Sequence, residues 1–158
     1  MEVESADEEL LRQAIDLARQ ARHAGNHPFG ALLALEGVTI LTAQNTVNTQ
    51  SDPTAHAESN LMAAAIARLT PDQVRRSVLY TSCEPCAMCV GKMYWAGVRA
   101  VVYALPAEDL ATLAGPDFLI PCRELFARST ETVRVTGPLL IREAREVHVG
   151  FWKPGSTA

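Results

Sequence analysis

Residues 77–104 read SVLYTSCEPCAMCVGKMYWAGVRAVVYA, and this stretch decides the fold. Its two ends, 77–81 and 99–104, are short apolar runs rich in Val, Leu and Tyr, the pattern of buried strands. Between them, 86–96 follows Pro85, a residue that fits a helix entrance, and reads as a helix. A strand, a helix and a strand in that order form a crossover unit. Such units are right-handed in nearly all cases, so the two strands lie side by side.

Upstream, Ser5 and Glu8 have the spacing of a capping box, and Leu10, Ala14, Leu17 and Ala21 recur at helical intervals, which predicts a helix over 6–22. Its alanine-rich stripe implies close packing on a sheet. The apolar runs 31–35 and 38–43 flank Glu36-Gly37 and read as a hairpin. After a polar, turn-rich stretch, Asp52-Pro53 reads as the start of a helix that runs to about residue 68 and carries His56 in its first turn. Downstream, 105–128 is irregular and 132–135 reads as a fifth strand. Gly137-Pro138 then opens a last helix with Leu140, Ala144, Val147 and Phe151 on one face. With no repeat, low-complexity tract or linker, residues 1–158 form a single α/β domain. The expected architecture is three-layer α/β/α, with a five-stranded mixed sheet between helices.

With 48% hydrophobic and 20% charged residues, the 158-residue chain has a globular composition and enough length for one sizeable core. Its formal net charge of −4 disfavours a broad footprint for nucleic acid or anionic membrane. The N-terminal MEVESADEELLRQ is acidic and polar where a secretory signal has a basic start and an apolar run, and no stretch approaches a membrane span. Three of the four cysteines fall within seven residues, a spacing suited to metal in a reducing compartment. A cytoplasmic protein is expected.

The chemistry is concentrated in two segments, PTAHAE at 53–58 and SCEPCAMC at 82–89. A catalytic zinc takes three protein ligands and leaves a fourth position for water, whose pKa it lowers from about 15.7 to roughly 7. His56, Cys86 and Cys89 supply that count, and Glu58, two residues from a ligand, is the nearby proton carrier. Cys83, Cys86 and Cys89 form two overlapping CxxC pairs. Cys86 and Cys89 sit three apart at a helix start, where their side chains point the same way and the helix end favours thiolates. Cys83 falls at a strand end and is assigned to packing or to support of the ligands; Cys122 is isolated. A structural zinc site in an interaction module is the non-enzymatic alternative. It needs a fourth ligand, and His23, His27 and His148 lie at no finger-like spacing.

These segments resemble the cytidine-deaminase-like superfamily of zinc-dependent nucleobase and nucleoside deaminases, whose signature pairs H-x-E with P-C-x-x-C. The resemblance covers most of the chain. It implies zinc on His56, Cys86 and Cys89, hydroxide attack on an amidine-type ring carbon, and proton transfer by Glu58 to the ring nitrogen and then to the leaving amine. Ala57, between ligand and proton carrier, is grouped with the substrate-binding residues.

Other positions bear on the substrate. Asn45, eleven residues before His56, matches a base-binding Asn in tRNA adenosine deaminases and guanine deaminases of the superfamily, and an Asn amide can donate and accept at a heterocycle. Phe29 is expected to stack on the base. Tyr94 and Trp95 after the second cysteine resemble bacterial guanine deaminases. Asp109, six residues beyond Tyr103, corresponds to an active-site carboxylate of those enzymes and is expected to assist catalysis. Their C-terminal aromatic segment closes a neighbouring subunit's site; here the end reads Val149-Gly150-Phe151-Trp152-Lys153-Pro154 at a different spacing. The resemblance thus implies a homodimeric hydrolase that turns guanine into xanthine and ammonia. Guanosine, cytosine or a triazine are alternative substrates. A tRNA adenosine deaminase fits less well, because Lys92 and Lys153 are the only lysines and a phosphate backbone calls for clustered cations.

Overall fold

The computed structural model describes residues 5–153. Helix α1 (Ala6–His23) opens with Ser5, whose side-chain oxygen accepts the Glu8 N–H at 3.2 Å and caps the helix as the sequence predicts. Strands β1 (Gly30–Leu35) and β2 (Val38–Gln44) form the expected antiparallel hairpin. Its turn at Glu36 and Gly37 has positive φ at both residues, 53° and 78°, which Gly37 accommodates without strain.

Short helix α2 (Val47–Gln50) interrupts the polar stretch and is followed by α3 (Ala57–Arg68), α4 (Pro71–Arg76) and β3 (Val78–Cys83). Helix α5 (Ala87–Ala96) and β4 (Ala100–Leu105) complete the crossover unit, and β3 and β4 pair in parallel. Then come α6 (Ala107–Ala114), α7 (Cys122–Ala127), β5 (Arg134–Thr136) and α8 (Ile141–Glu146).

The five strands lie in the order β2-β1-β3-β4-β5, with β1 antiparallel to β3 and β5 parallel to β4. Alternate strand residues divide between two cores. Ala31, Leu33, Leu79, Val101 and Tyr103 meet α3 and α5, whereas Leu32, Ala34, Tyr80, Val102 and Ala104 meet α1 and α8. A sheet covered on both faces explains why GALLAL in β1 is continuously apolar instead of alternating. The small residues of α1 allow the closest contact. A Cβ on Gly30 would meet the Ala14 carbonyl and the Ala18 nitrogen at 2.5 Å, so glycine is required where helix and strand touch.

Three boundaries differ from the sequence expectation. The helix expected from Asp52-Pro53 begins at Ala57, because the Asp52 carboxylate accepts both the N–H (2.8 Å) and the hydroxyl (2.7 Å) of Thr54 and closes a turn instead. The stretch 105–128 holds two helices separated by a loop. Gly137-Pro138 does not open α8. The chain passes so close to Tyr103 there that a Cβ on Gly137 would meet its carbonyl at 2.6 Å, and α8 starts after Leu140. Among the described residues, no helix is long and apolar enough to cross a membrane.

Candidate active site

The site lies where α3 and α5 begin. His56 is the N-cap of α3 and Cys86 the N-cap of α5, both with extended backbone. Neither side chain is used as a cap, which leaves imidazole and thiol free to turn toward each other. Two loop anchors hold His56 from behind. The Asn60 amide donates to the Gln44 carbonyl and the Thr46 hydroxyl, both at 2.9 Å, and Asn26 Oδ1 accepts from the N–H groups of Asn48 and Thr49. On the other side, Lys92 of α5 reaches Ser59 of α3 at 3.0 Å and ties the two helices together.

His56 Nδ1 lies 3.6 Å from Cys86 Sγ and 3.7 Å from Cys89 Sγ. Tetrahedral zinc with ordinary bond lengths holds nitrogen and sulfur about 3.6 Å apart. The donor set and its spacing therefore fit zinc, and these three residues form the metal-ligand cluster found among the described residues. A hydrogen bond from Cys89 and the neighbouring His56 push the Cys86 thiol down, while the same hydrogen bond to Cys86 and burial push Cys89 up. Hydrogen bonding to Cys86 raises His56 against the effect of its burial. Cys83 is buried at the end of β3 and lies outside the cluster; burial and then Glu58 push its thiol well up. Cys122 is buried at the start of α7.

Glu58 is 5% exposed. Burial raises its pKa, opposed by a hydrogen bond from the Thr81 hydroxyl to Oε1 at 2.6 Å. The Thr81 hydroxyl also lies 3.0 Å from the Cys83 carbonyl and shares its one proton between the two oxygens, so one strand residue fixes the carboxylate beside the ligands. Sequence reasoning missed Thr81; only its place two residues before Cys83, on the inward side of the strand, could have pointed to it.

A cavity of about 250 Å³ opens onto these groups. Its lining includes His56, Glu58, Cys86, Phe29 and Leu110, and two further carboxylates, Glu84 and Asp117. Drug-sized ligands occupy roughly 300–1,000 Å³, so this space suits a single small heterocycle. Phe29 is in the wall as expected. Behind it, the Phe29 ring meets His148 edge-on at 5.3 Å, and Trp152 donates to His148 Nδ1 at 3.0 Å. Phe151 and Trp152 also pack edge-on against His27. The C-terminal aromatics thus support this chain's own cavity wall from outside; Pro154 lies beyond the described residues.

Other predicted residues are not brought to the cavity. Asn45 is buried, donates its N–H to the Phe29 carbonyl and accepts the Val47 N–H on Oδ1, so it shapes the turn behind Phe29. Ala57 is buried in the core at the first turn of α3. Trp95 is 86% exposed, at the end of α5 about 13 Å along the axis from Cys86. Asp109 is on α6, but Ala107, Leu110 and Ala111 are its cavity-facing residues, and Asp109 points about 150° away from that face. The carboxylate that this segment brings to the wall is Asp117, in the loop between α6 and α7. Sequence reasoning missed it because 105–128 read as irregular and the count was taken from Tyr103.

A family model for the cytidine and deoxycytidylate deaminase zinc-binding region matches residues 4–105. The chain is 43% identical over 114 residues to a guanine deaminase of Bacillus subtilis, covering 72% of this chain and 73% of the relative. It is 33% identical to a probable cytosine deaminase of Schizosaccharomyces pombe, covering 98% and 97% of the two chains. The solved structure of a guanine deaminase from Nitrosomonas europaea superposes with a TM-score of 0.75 at 27% identity, covering 94% of this chain and 87% of that one.

Proposed function

The chain belongs to the cytidine and deoxycytidylate deaminase family, and we propose that it is a zinc-dependent aminohydrolase of a free nucleobase, converting guanine and water to xanthine and ammonia. The observation that carries this reading is the cavity itself. His56 and Cys86 with Glu58 form one side, buried Cys89 completes their ligand cluster, and Phe29, Leu110 and Asp117 stand on the rest of its lining. Guanine carries N–H donors on and beside the carbon that loses its amine, and an ionised carboxylate such as Asp117 can only accept. Phe29 supplies an apolar face for the ring.

Zinc on His56, Cys86 and Cys89 supplies a Lewis acid that makes water a competent nucleophile near neutral pH. Glu58 takes the proton that this water loses and delivers it to the ring nitrogen beside the attacked carbon. It then delivers the second proton to the amine, which leaves as ammonia. The Thr81 hydroxyl holds Oε1 in place during both transfers. Burial raises the pKa of Glu58, which makes the carboxylate a better acceptor for the proton that the water loses. Asp117 accepts from the substrate and sets its orientation, whereas the sequence reading had given Asp109 a part in catalysis.

The full-length likeness to a probable cytosine deaminase favours a second reading, in which the base is a pyrimidine. Ammonia release from guanine, guanosine, cytosine, adenine and a triazine by the zinc-loaded protein separates the two. The account expects guanine to be fastest; turnover of cytosine alone rejects guanine and keeps the chemistry. We further propose a cytoplasmic homodimer acting in purine turnover. The exposed Trp95 and Ile66, on the helices that carry the site, support an interface there. Light scattering with a dimer mass is the expected result, and a monomer mass overturns it.

A further inference from the structure

We infer that Glu84 is a positioning residue that locks the substrate-facing wall to the metal-binding turn by capping two helices with one carboxylate. Oε2 of Glu84 accepts the N–H of Ala107, and Oε1 accepts the N–H of Cys122, each at 2.8 Å. Ala107 and Cys122 are the first residues of α6 and α7. Their N-caps are Pro106 and Pro121, which offer no side-chain oxygen, so neither helix has a cap of its own. Glu84 also donates its backbone N–H to the Leu105 carbonyl at 2.8 Å, which fixes it to the end of β4.

Both ends of the segment 107–122 therefore return to one side chain. That segment contains Leu110, Ala111, Asp117 and Phe118 of the cavity lining. Two residues along the chain from Glu84 is Cys86, and Pro85 stiffens the step between them. The spacing between Asp117 and the ligand cluster thus runs through Glu84. A carboxylate suits the task because it has two acceptor oxygens and no donor. A carboxamide has one acceptor, and its NH₂ would face a helix N–H. Glu84 itself lines the cavity, but it lies outside the ligand cluster and both its oxygens are engaged by the Ala107 and Cys122 amides. Its effect falls on substrate binding.

The inference rests on reading the cavity as the base-binding site, and its test separates the two claims. Hydrogen–deuterium exchange, zinc content and steady-state kinetics with guanine are measured on the zinc-loaded wild type, Glu84→Gln and Glu84→Asp. In Glu84→Gln, exchange across 107–122 speeds about fivefold to tenfold, the size expected for loss of one cap. KM rises about tenfold while kcat stays within about threefold and zinc content is unchanged, because the wall loosens and the chemistry does not. Glu84→Asp, with both oxygens on a shorter arm, falls between. Unchanged exchange and KM would overturn the inference. So would a fall in kcat at constant KM, or loss of zinc. If the wild type releases no ammonia from guanine, the proposed substrate fails, and the exchange comparison still decides the role of Glu84. Should Glu84→Gln not fold, the wild type decides: the amides of Ala107 and Cys122 must be as protected as those in the middle of their helices, and rapid exchange at either refutes the cap.

Discussion

On the metal side of the cavity, two helices begin at His56 and Cys86, with Cys89 three residues into α5 and Glu58 two residues past His56. On the facing side, the segment 107–121 is a short helix and a loop whose ends meet at Glu84, a residue from another part of the chain. The first side takes its geometry from neighbours in sequence. The second takes it from contacts across the fold, and its carboxylate stands on a loop. The metal-ligand cluster thus stands where local geometry is strongest, and under the proposed function substrate choice falls to the side where the backbone is freer to vary.

The largest expected effect breaks the metal side. Cys89→Ala removes a ligand, and zinc content measured by metal analysis falls below one tenth per chain, with ammonia release lost alongside it. A variant that kept full zinc would show that the cluster is not the metal site. On the facing side, Asp117→Asn lowers kcat/KM for guanine about 10- to 100-fold, the value of a hydrogen bond to a charged group, and leaves zinc in place. Asp109→Asn changes it less than about twofold, because its side chain points away from the cavity. The opposite ranking would restore Asp109 to the role expected from sequence.

A separate effect, on stability and not on turnover, concerns His148, which buttresses Phe29. Burial, and then Arg22 and Arg145, lower its pKa to about 4. Between pH 6.5 and pH 4 the unfolded chain binds a proton that the folded one refuses, so this residue makes stability fall as pH falls. The loss between pH 7 and pH 5 is about 2 kcal/mol by linkage. Urea unfolding of the wild type and His148→Gln at the two pH values should show the difference in the wild type alone. Equal acid sensitivity in both would place the cause elsewhere.

The legibility of the sequence follows the same division. The crossover unit, the hairpin about Glu36-Gly37 and the packing of α1 on the sheet through its alanine-rich stripe were readable because periodicity and turn chemistry act over a few residues. His56, Cys86 and Cys89 were readable because a helix start fixes which side chains meet. Asp117 was not, because its approach to the cavity depends on Glu84 reaching Ala107 and Cys122, and no local pattern announces that contact. Trp95 stands away from this chain's cavity for a different reason. A resemblance in sequence carries no information on which end of a helix faces the cavity, and Trp95 sits at the far end of α5.

The central claim is that zinc on His56, Cys86 and Cys89 works with Glu58 as the proton carrier. Its most direct test compares wild type and Glu58→Gln for bound zinc and for ammonia released from guanine. The account predicts one zinc per chain in both and a rate lower by about 10² to 10⁴ in the variant. Equal rates would contradict it.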